Sequence, residues 1–522
     1  MSGPANRSVT GIALVVVLAA GALGVVLAAT RSPIFDLDRH AVPKELALHL
    51  TALLGLILLL PRWRWLEVAV VEWLLGIYVG WSALSALFSE NHWLAFRAWG
   101  ISGSALVVFL MARAARRAGY GRWVLAALAV AATVGALGGL MQAYGADWAL
   151  LHGERPPGGT LGNRNFLAHL SVIAVPIVGV LTLGSQRRWS WWTGIGALAA
   201  LAGTIVLTRS RAAWLAAIVT LGLAALAAWW VRGLGDRHRR RTVGLALLGG
   251  TLAALVLPNR LAWRTGSPYR DSLVGLVNYQ DGSGRGRLIQ YRNTLRLVKQ
   301  DPVFGTGPGN WMVQYPRVTT PGDPSFAGTD PIPTNPWPSS DWMAILAERG
   351  LIGVLLLAAA GVAATLVAVR RLRDPEQGAA ALGILGLLCA TLVTGMFDAV
   401  LLLAPPTLVV FAALGALLPD TGTVLTRELA GRRRAAAVGI PLLLTSLLVL
   451  HSGGQLAAIR ITEIGRQRSA MEAALRYEPG NYRLHLLLSM RGNCAQRLPH
   501  ARVARRLLPY HAWPKRMAAT CE

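Results

Sequence analysis

Thirteen blocks of apolar residues, most of them about 20 long, constrain this chain more than anything else in it. They lie near 8–30, 45–60, 67–89, 93–112, 123–144, 165–184, 189–208, 211–231, 242–257, 341–369, 378–397, 399–418 and 435–451. A helix rises about 1.5 Å per residue, so a block of this length crosses the hydrocarbon core of a bilayer. Only a helix satisfies every backbone donor and acceptor within one such segment. The chain therefore reads as an all-α polytopic membrane protein, with 54% hydrophobic and 15% charged residues. The first block, Val9 to Ala29, lacks a small-residue cleavage site followed by a soluble domain and reads as a retained span.

A formal charge of +26 would suit a nucleic-acid binder if the cations formed one surface. They fall instead in PRWRW (61–65), RAARRAGYGR (113–122), QRR (186–188), RGLGDRHRRR (232–241), RRLRD (370–374) and GRRR (431–434), which occupy alternate loops. That is the positive-inside pattern, so no nucleic acid is expected as a partner and membrane lipid is. The basic loops are assigned to the cytoplasm. The N-terminus is then cytoplasmic, and an odd number of spans puts the C-terminus on the outer side. Loops 145–164, 209–211 and 258–340 face outward. Five regions follow: N-terminal spans over 1–150, further spans over 151–257, a large outer loop over 258–340, C-terminal spans over 341–451 and a small helical tail over 455–522.

This topology puts Arg209 and Arg211, in TIVLTRSRAAWLAAIV, on a short outer loop where arginines are disfavoured. Snorkelling to lipid headgroups is one explanation. An anion site is the other, and the long loop 258–340 favours it. Within that loop GRGRLIQYRNTLRLVKQDPVFGTGPGNW (284–311) predicts an amphipathic helix broken at Pro302, with Leu288, Tyr291, Leu295 and Val298 on one face. Arg285, Arg287, Arg292, Arg296 and Lys299 crowd the remainder, which would equally suit a helix lying on anionic lipid. The glycines of GTGPGNW read as turn chemistry, since no Lys-Ser/Thr follows and no strand precedes.

Four stretches, in this order and spacing, resemble the O-antigen ligase and O-antigen polymerase superfamily: LGNRNFLAHL (161–170), TRSRAAWLA (208–216), the arginine-helix-DPVFGTGPGNW block (285–311) and SSDWMAILAERGLIG (339–353). The resemblance implies a bacterial inner-membrane glycosyltransferase working at the periplasmic face. Such an enzyme takes a glycan from an undecaprenyl-pyrophosphate carrier and joins it to an acceptor hydroxyl, on lipid A-core for a ligase or on another carrier-linked glycan for a polymerase. Matching the motifs assigns Arg211 and Arg209, and Arg287 and Arg285, to the pyrophosphate, and marks Asn163, Asn165 and Ser339 as motif residues.

The chemistry agrees with this assignment. A departing lipid pyrophosphate gains charge in the transition state, and the arginine fork holds phosphate bidentately while staying charged. No DxD-type pair or His cluster stands on the outer loops, so no cofactor or metal is expected. The family carries a His where this chain has Ser339, and no His occurs from 258 to 341. Serine alone is no base near neutral pH. The catalytic candidates are then Asp341, Glu348 about two turns further on, and His169 in NFLAH. Glu72 and Asp398 are isolated acids within spans, which a transporter would need for a proton relay, but no internal repeat accompanies them.

In the tail, MEAALRYEPGNYRLHLLLSMRGNCAQRLPHARVARRLLPYHAWPKRM (471–517) resembles a tetratricopeptide-like helical hairpin. About one and a half units are too few to stand alone, so 455–522 should pack on the outer loops or on a partner protein. Cys494 and Cys521 both lie there, in a compartment that permits a disulfide.

Overall fold

The computed structural model describes residues 4–522 apart from 32–35, 61–64, 154, 228–230, 232–235, 264, 279–281, 321–322 and 324–335. Parts of the PRWRW and RGLGDRHRRR segments and of the 258–340 loop thus lie outside the described residues.

The helices follow the apolar blocks. The first half comprises α1 (Pro4–Leu27), α2 (Asp36–Leu59), α3 (Val70–Leu87), α4 (His92–Arg117), α5 (Gly121–Ala143), α6 (Arg164–Leu183), α7 (Arg188–Thr208), α8 (Arg211–Ala227) and α9 (Arg237–Val256). The large loop contributes α10 (Pro268–Val277), α11 (Gly282–Gln300) and α12 (Trp311–Gln314). After it come α13 (Asp341–Arg371), α14 (Gly378–Gly395), α15 (Ala404–Leu417) and α16 (Gly431–Ile464), then the tail helices α17 (Arg468–Ala474), α18 (Tyr482–Ser489), α19 (Cys494–Leu507) and α20 (Ala512–Ala519). Starts are set by side-chain oxygens that accept an orphan N–H: Asn91 from Leu94, Asn163 from Asn165 and Ser340 from Met343.

Among the described residues ten helices are long and apolar enough to cross a membrane, so this is a multi-pass membrane protein. Among the described residues each of the thirteen expected spans has its helix, but α8 and α15 are short apolar helices and α9 opens with RHRRR, so these three fall outside the ten. α2 begins nearer the N-terminus than the hydrophobicity suggested, because its polar first turns are paired within the protein rather than exposed to lipid. Small residues let the helices meet closely: a Cβ at Gly415 of α15 would stand 2.5 Å from the Phe109 carbonyl oxygen of α4. One continuous core results, with Leu18, Phe109, Leu128 and Leu167 fully enclosed.

At the arginine-rich end a two-stranded antiparallel sheet joins β1 (Trp65–Ala69) to β2 (Thr423–Glu428), an element that hydropathy did not signal. Its pairing brings the segments before α3 and before α16 to one end of the bundle. Beside it the buried Arg113 meets Glu72 at 3.0 Å and Asp420 at 3.0 Å. Glu72 is thus one half of a structural ion pair.

The opposite end carries the large loop and the tail. Trp311, Tyr315 and Leu297 form a second core with Tyr482, Leu486 and Leu508, so the tail packs on the large loop. Cys494 and Cys521 are joined by a disulfide.

Candidate functional site

The TRS turn is the tightest connection at the loop end. Thr208 ends α7 and Arg211 begins α8, leaving only Arg209 and Ser210 between them. Arg209 sits in the left-handed region at φ 52°, among the described residues the one non-glycine there, at a cost of about 1–2 kcal/mol. That conformation turns its guanidinium toward α10, where Nε donates to Ser272 Oγ at 3.0 Å and the group lies 4.6 Å from the Trp263 ring centre. Burial lowers its pKa from the ordinary value, partly offset by Asp271 and Tyr269. The two arginines diverge in detail but share one partner, since Arg211 Nη1 donates to the Gly275 carbonyl of the same helix.

The N-terminus of α6, earlier in the chain, faces the same end. Arg164 there lies within electrostatic reach of Arg209 and Arg155. Asn163 caps the helix, and Asn165 Nδ2 donates to Asp398 Oδ2 at 3.0 Å. One turn further in, on the same face as Asn165, stands His169. It is buried, neither ring nitrogen has a hydrogen-bond partner among the described residues, and it lies within electrostatic reach of both Asp398 and Arg287. Arg287 is half-buried and Arg285 exposed; neither makes a hydrogen bond or ion pair to a described residue. The structure therefore brings His169, Arg287, Asp398 and the start of α6 together, beside the α7–α8 turn.

Helix α11 is held over this region by Tyr291, whose hydroxyl donates to the Ser339 carbonyl at 2.7 Å, and by Gln290, which accepts from the Ser339 N–H at 2.7 Å. The expected helix forms and ends before Pro302, and its orientation is set by polar contacts. Leu288 and Leu295 point outward, whereas Gln290, Asn293, Thr294 and Leu297 are buried. The polar members are drawn in because they have partners: Thr294 Oγ1 accepts from Trp311 Nε1 at 3.0 Å, and Asn293 Nδ2 donates to Asp323 Oδ2 at 2.8 Å.

The other two acid candidates are committed to backbone. Asp341 is fully buried, and its oxygens accept from the N–H groups of Val400 at 2.9 Å and Leu401 at 2.8 Å. Glu348 accepts from the Trp311 N–H at 3.4 Å and pairs with Arg349 at 3.4 Å. The glycine run does form turns, and they are bonded to a break in α13. Gly307 N–H donates to the Glu348 carbonyl at 2.9 Å, and Leu351 N–H donates to the Pro302 carbonyl at 2.8 Å. Gly350 adopts φ 67°, and a Cβ there would stand 1.9 Å from the Val303 oxygen, so only glycine fits.

Sequence reasoning passed over Arg164, although it lies inside the LGNRNF motif, and treated Asp398 as an isolated membrane acid. Its nearest signal was the approach of the 396–403 turn to α6, which no local pattern records. Among the described residues no three His, Cys, Asp or Glu side chains gather as a metal site.

Residues 196–358 match the family model described as O-antigen ligase. The matched segment runs from within α7 to within α13 and includes the TRS turn, the α11 arginines, the glycine run and SSDWMAILAERG. It supports the O-antigen ligase superfamily, as the motifs implied, and hence a glycosyltransferase-like activity on lipid-linked glycans in the membrane. No curated protein matches the chain.

Proposed function

We propose that this protein transfers a glycan from an undecaprenyl-pyrophosphate carrier to an acceptor hydroxyl, on lipid A-core or a similar lipid, at the periplasmic face of the inner membrane. The observation that carries the reading is that Arg287 reaches His169 of α6, while Arg209 of the arginine turn reaches Arg164 at the N-terminus of the same helix. Guanidinium groups and the positive end of a helix both favour a diphosphate. Arg209 is desolvated with no carboxylate in ion-pair contact among the described residues, which leaves its charge available to an anion. Arg211 and Arg285 flank the same anion.

His169 is the best-supported general base. Asp341 and Glu348 already accept from backbone N–H groups, whereas His169 keeps a free lone pair and has Asp398, held by Asn165, to stabilise its protonated form. An imidazole nitrogen takes the proton of the acceptor hydroxyl as that oxygen bonds the anomeric carbon. The bond from that carbon to the phosphate oxygen breaks, and the arginines take up the charge that the lipid pyrophosphate gains. Asp341 then serves by fixing the turn that bears Asp398, and Ser339 by anchoring α11. The alternating basic loops and the Cys494–Cys521 disulfide support an outward-facing loop end.

The test is the product's linkage in cells lacking the protein. Loss of all lipid A-attached polymer is expected. A single repeat unit still attached identifies a polymerase instead, and an unchanged glycan profile overturns both.

A further inference from the structure

Leu401 to Leu403, in the 396–403 turn, border a concavity of about 110 Å³. A water needs roughly 10–15 Å³ on this measure, so the space admits several waters or one small ring. Its walls come from α2, α4, the kink of α13, Leu401 to Leu403, and the tail, which supplies Glu478, Asn481, Tyr482 and Arg483. Asp398 and Leu401 are three residues apart, so their Cα atoms stand no more than about 11 Å from each other, and the cavity adjoins the region assigned to the donor.

The chemistry of the walls is selective. Among the described lining residues, four carboxylates (Asp38, Glu45, Glu348, Glu478) face three guanidiniums (Arg97, Arg349, Arg483). Most are already paired: Arg97 with Glu45 at 2.7 Å and Asp38 at 3.4 Å, and Arg483 with Asp38. The balance leaves nothing to recruit a phosphate or another strong ion. Trp93, Trp337 and Tyr482 add flat apolar faces. Two lining residues carry a buried polar atom with no hydrogen-bond partner among the described residues, the indole Nε1 of Trp93 and Oε1 of Gln455, whose Nε2 donates to Glu478 Oε1 at 3.0 Å. One is a donor and the other an acceptor. Each is costly in a folded protein unless something meets it, and the hydroxyls of a sugar ring offer the complement of either.

We infer that this cavity is a subsite for an uncharged sugar ring of the acceptor, and that the C-terminal tail completes it. The identification of that sugar with the acceptor rests on the glycosyl-transfer reading above; the binding itself does not.

The experiment has two arms. In the first, full-length protein in detergent is titrated with methyl glycosides of hexoses, 6-deoxyhexoses and N-acetylhexosamines, followed by saturation-transfer NMR, for the wild type and for Trp93→Phe and Gln455→Met separately. At least one glycoside should bind the wild type, with affinity at least tenfold weaker in each variant that stays folded. Failure of every glycoside to bind, or undiminished binding in a folded variant, overturns the subsite. In the second arm, glycan transfer should show a raised KM for acceptor in the variants, with kcat and the KM for donor unchanged. Unaltered acceptor KM in an active variant removes the acceptor assignment. Sugar binding by a protein that transfers nothing removes the transferase reading and leaves the subsite standing.

Discussion

Asn165 Nδ2 donates to Asp398 Oδ2 at 3.0 Å, and this one bond ties the start of α6 to the turn between α14 and α15. It holds a carboxylate within reach of His169 without using up that histidine. Asn165→Ala should leave insertion and thermal stability near normal while cutting glycan transfer about tenfold to hundredfold, the scale of a misplaced catalytic group. Transfer at the full rate, measured in membranes of equal protein content, would show that Asp398 does not depend on Asn165 for its position.

Removing the α11 cation should act on the chemical step. Arg287→Ala is expected to lower kcat by about 10²- to 10³-fold, as loss of one preorganised donor to a developing anion does. Arg287→Lys should recover only part, because a point charge lacks the fork. If both variants match the wild type in single-turnover transfer, the α11 cation is a lipid contact and not a leaving-group ligand.

His169 and Asp341 make opposite demands on an experiment. His169→Gln keeps a polar side chain of similar reach and removes the base, so transfer should fall by about 10²- to 10⁴-fold with unfolding temperature held. Asp341→Asn loses one of two acceptors for Val400 and Leu401, and should lower the unfolding temperature along with activity. A stable but inactive Asp341→Asn protein would return the base to that carboxylate.

The docked tail should respond to acid. Burial lowers the His511 pKa from 6.5 to about 4, and its ring, in the neutral form, donates from Nε2 to the Met312 carbonyl at 3.0 Å. Burial lowers His485 to about 4 as well. A depressed folded-state value means that the stabilisation is complete above the unfolded pKa and is lost as pH falls from about 6.5 toward 4. For His511 the shift corresponds to roughly 3 kcal/mol. Protection factors in α18 to α20, corrected for the intrinsic slowing of amide exchange in acid, should therefore fall on mild acidification, and His511→Gln should flatten that dependence. Protection undiminished in acid would show that protonation of His511 does not control docking of the tail.

What the sequence made legible follows from the range over which each signal acts. Apolar blocks act over about 20 residues, and each produced its helix. The GTGPGNW turns were readable because glycine conformation is local. The direction of α11 was not, because it depends on Thr294 meeting Trp311 and Asn293 meeting Asp323 across the loop. Glu72 and Asp398 looked alike in hydropathy, yet one neutralises Arg113 at the arginine-rich end and the other bonds Asn165 at the loop end. Charge at a position is written in the sequence; the partner that gives it meaning is not.

The pairing of Arg483 with Asp38 spans 445 positions of chain. A polypeptide leaves the ribosome from its N-terminus, so Asp38 and Arg97 are inserted long before their partner exists. Until the tail from α18 through the start of α20 has docked, the concavity it lines lacks a wall and Met312 lacks the ring of His511. The bundle can thus be assembled and still be unfinished at its working end. On the outward-facing topology proposed above, competence waits for the tail to cross and dock, so translocation of the tail, rather than insertion of the spans, switches this protein on.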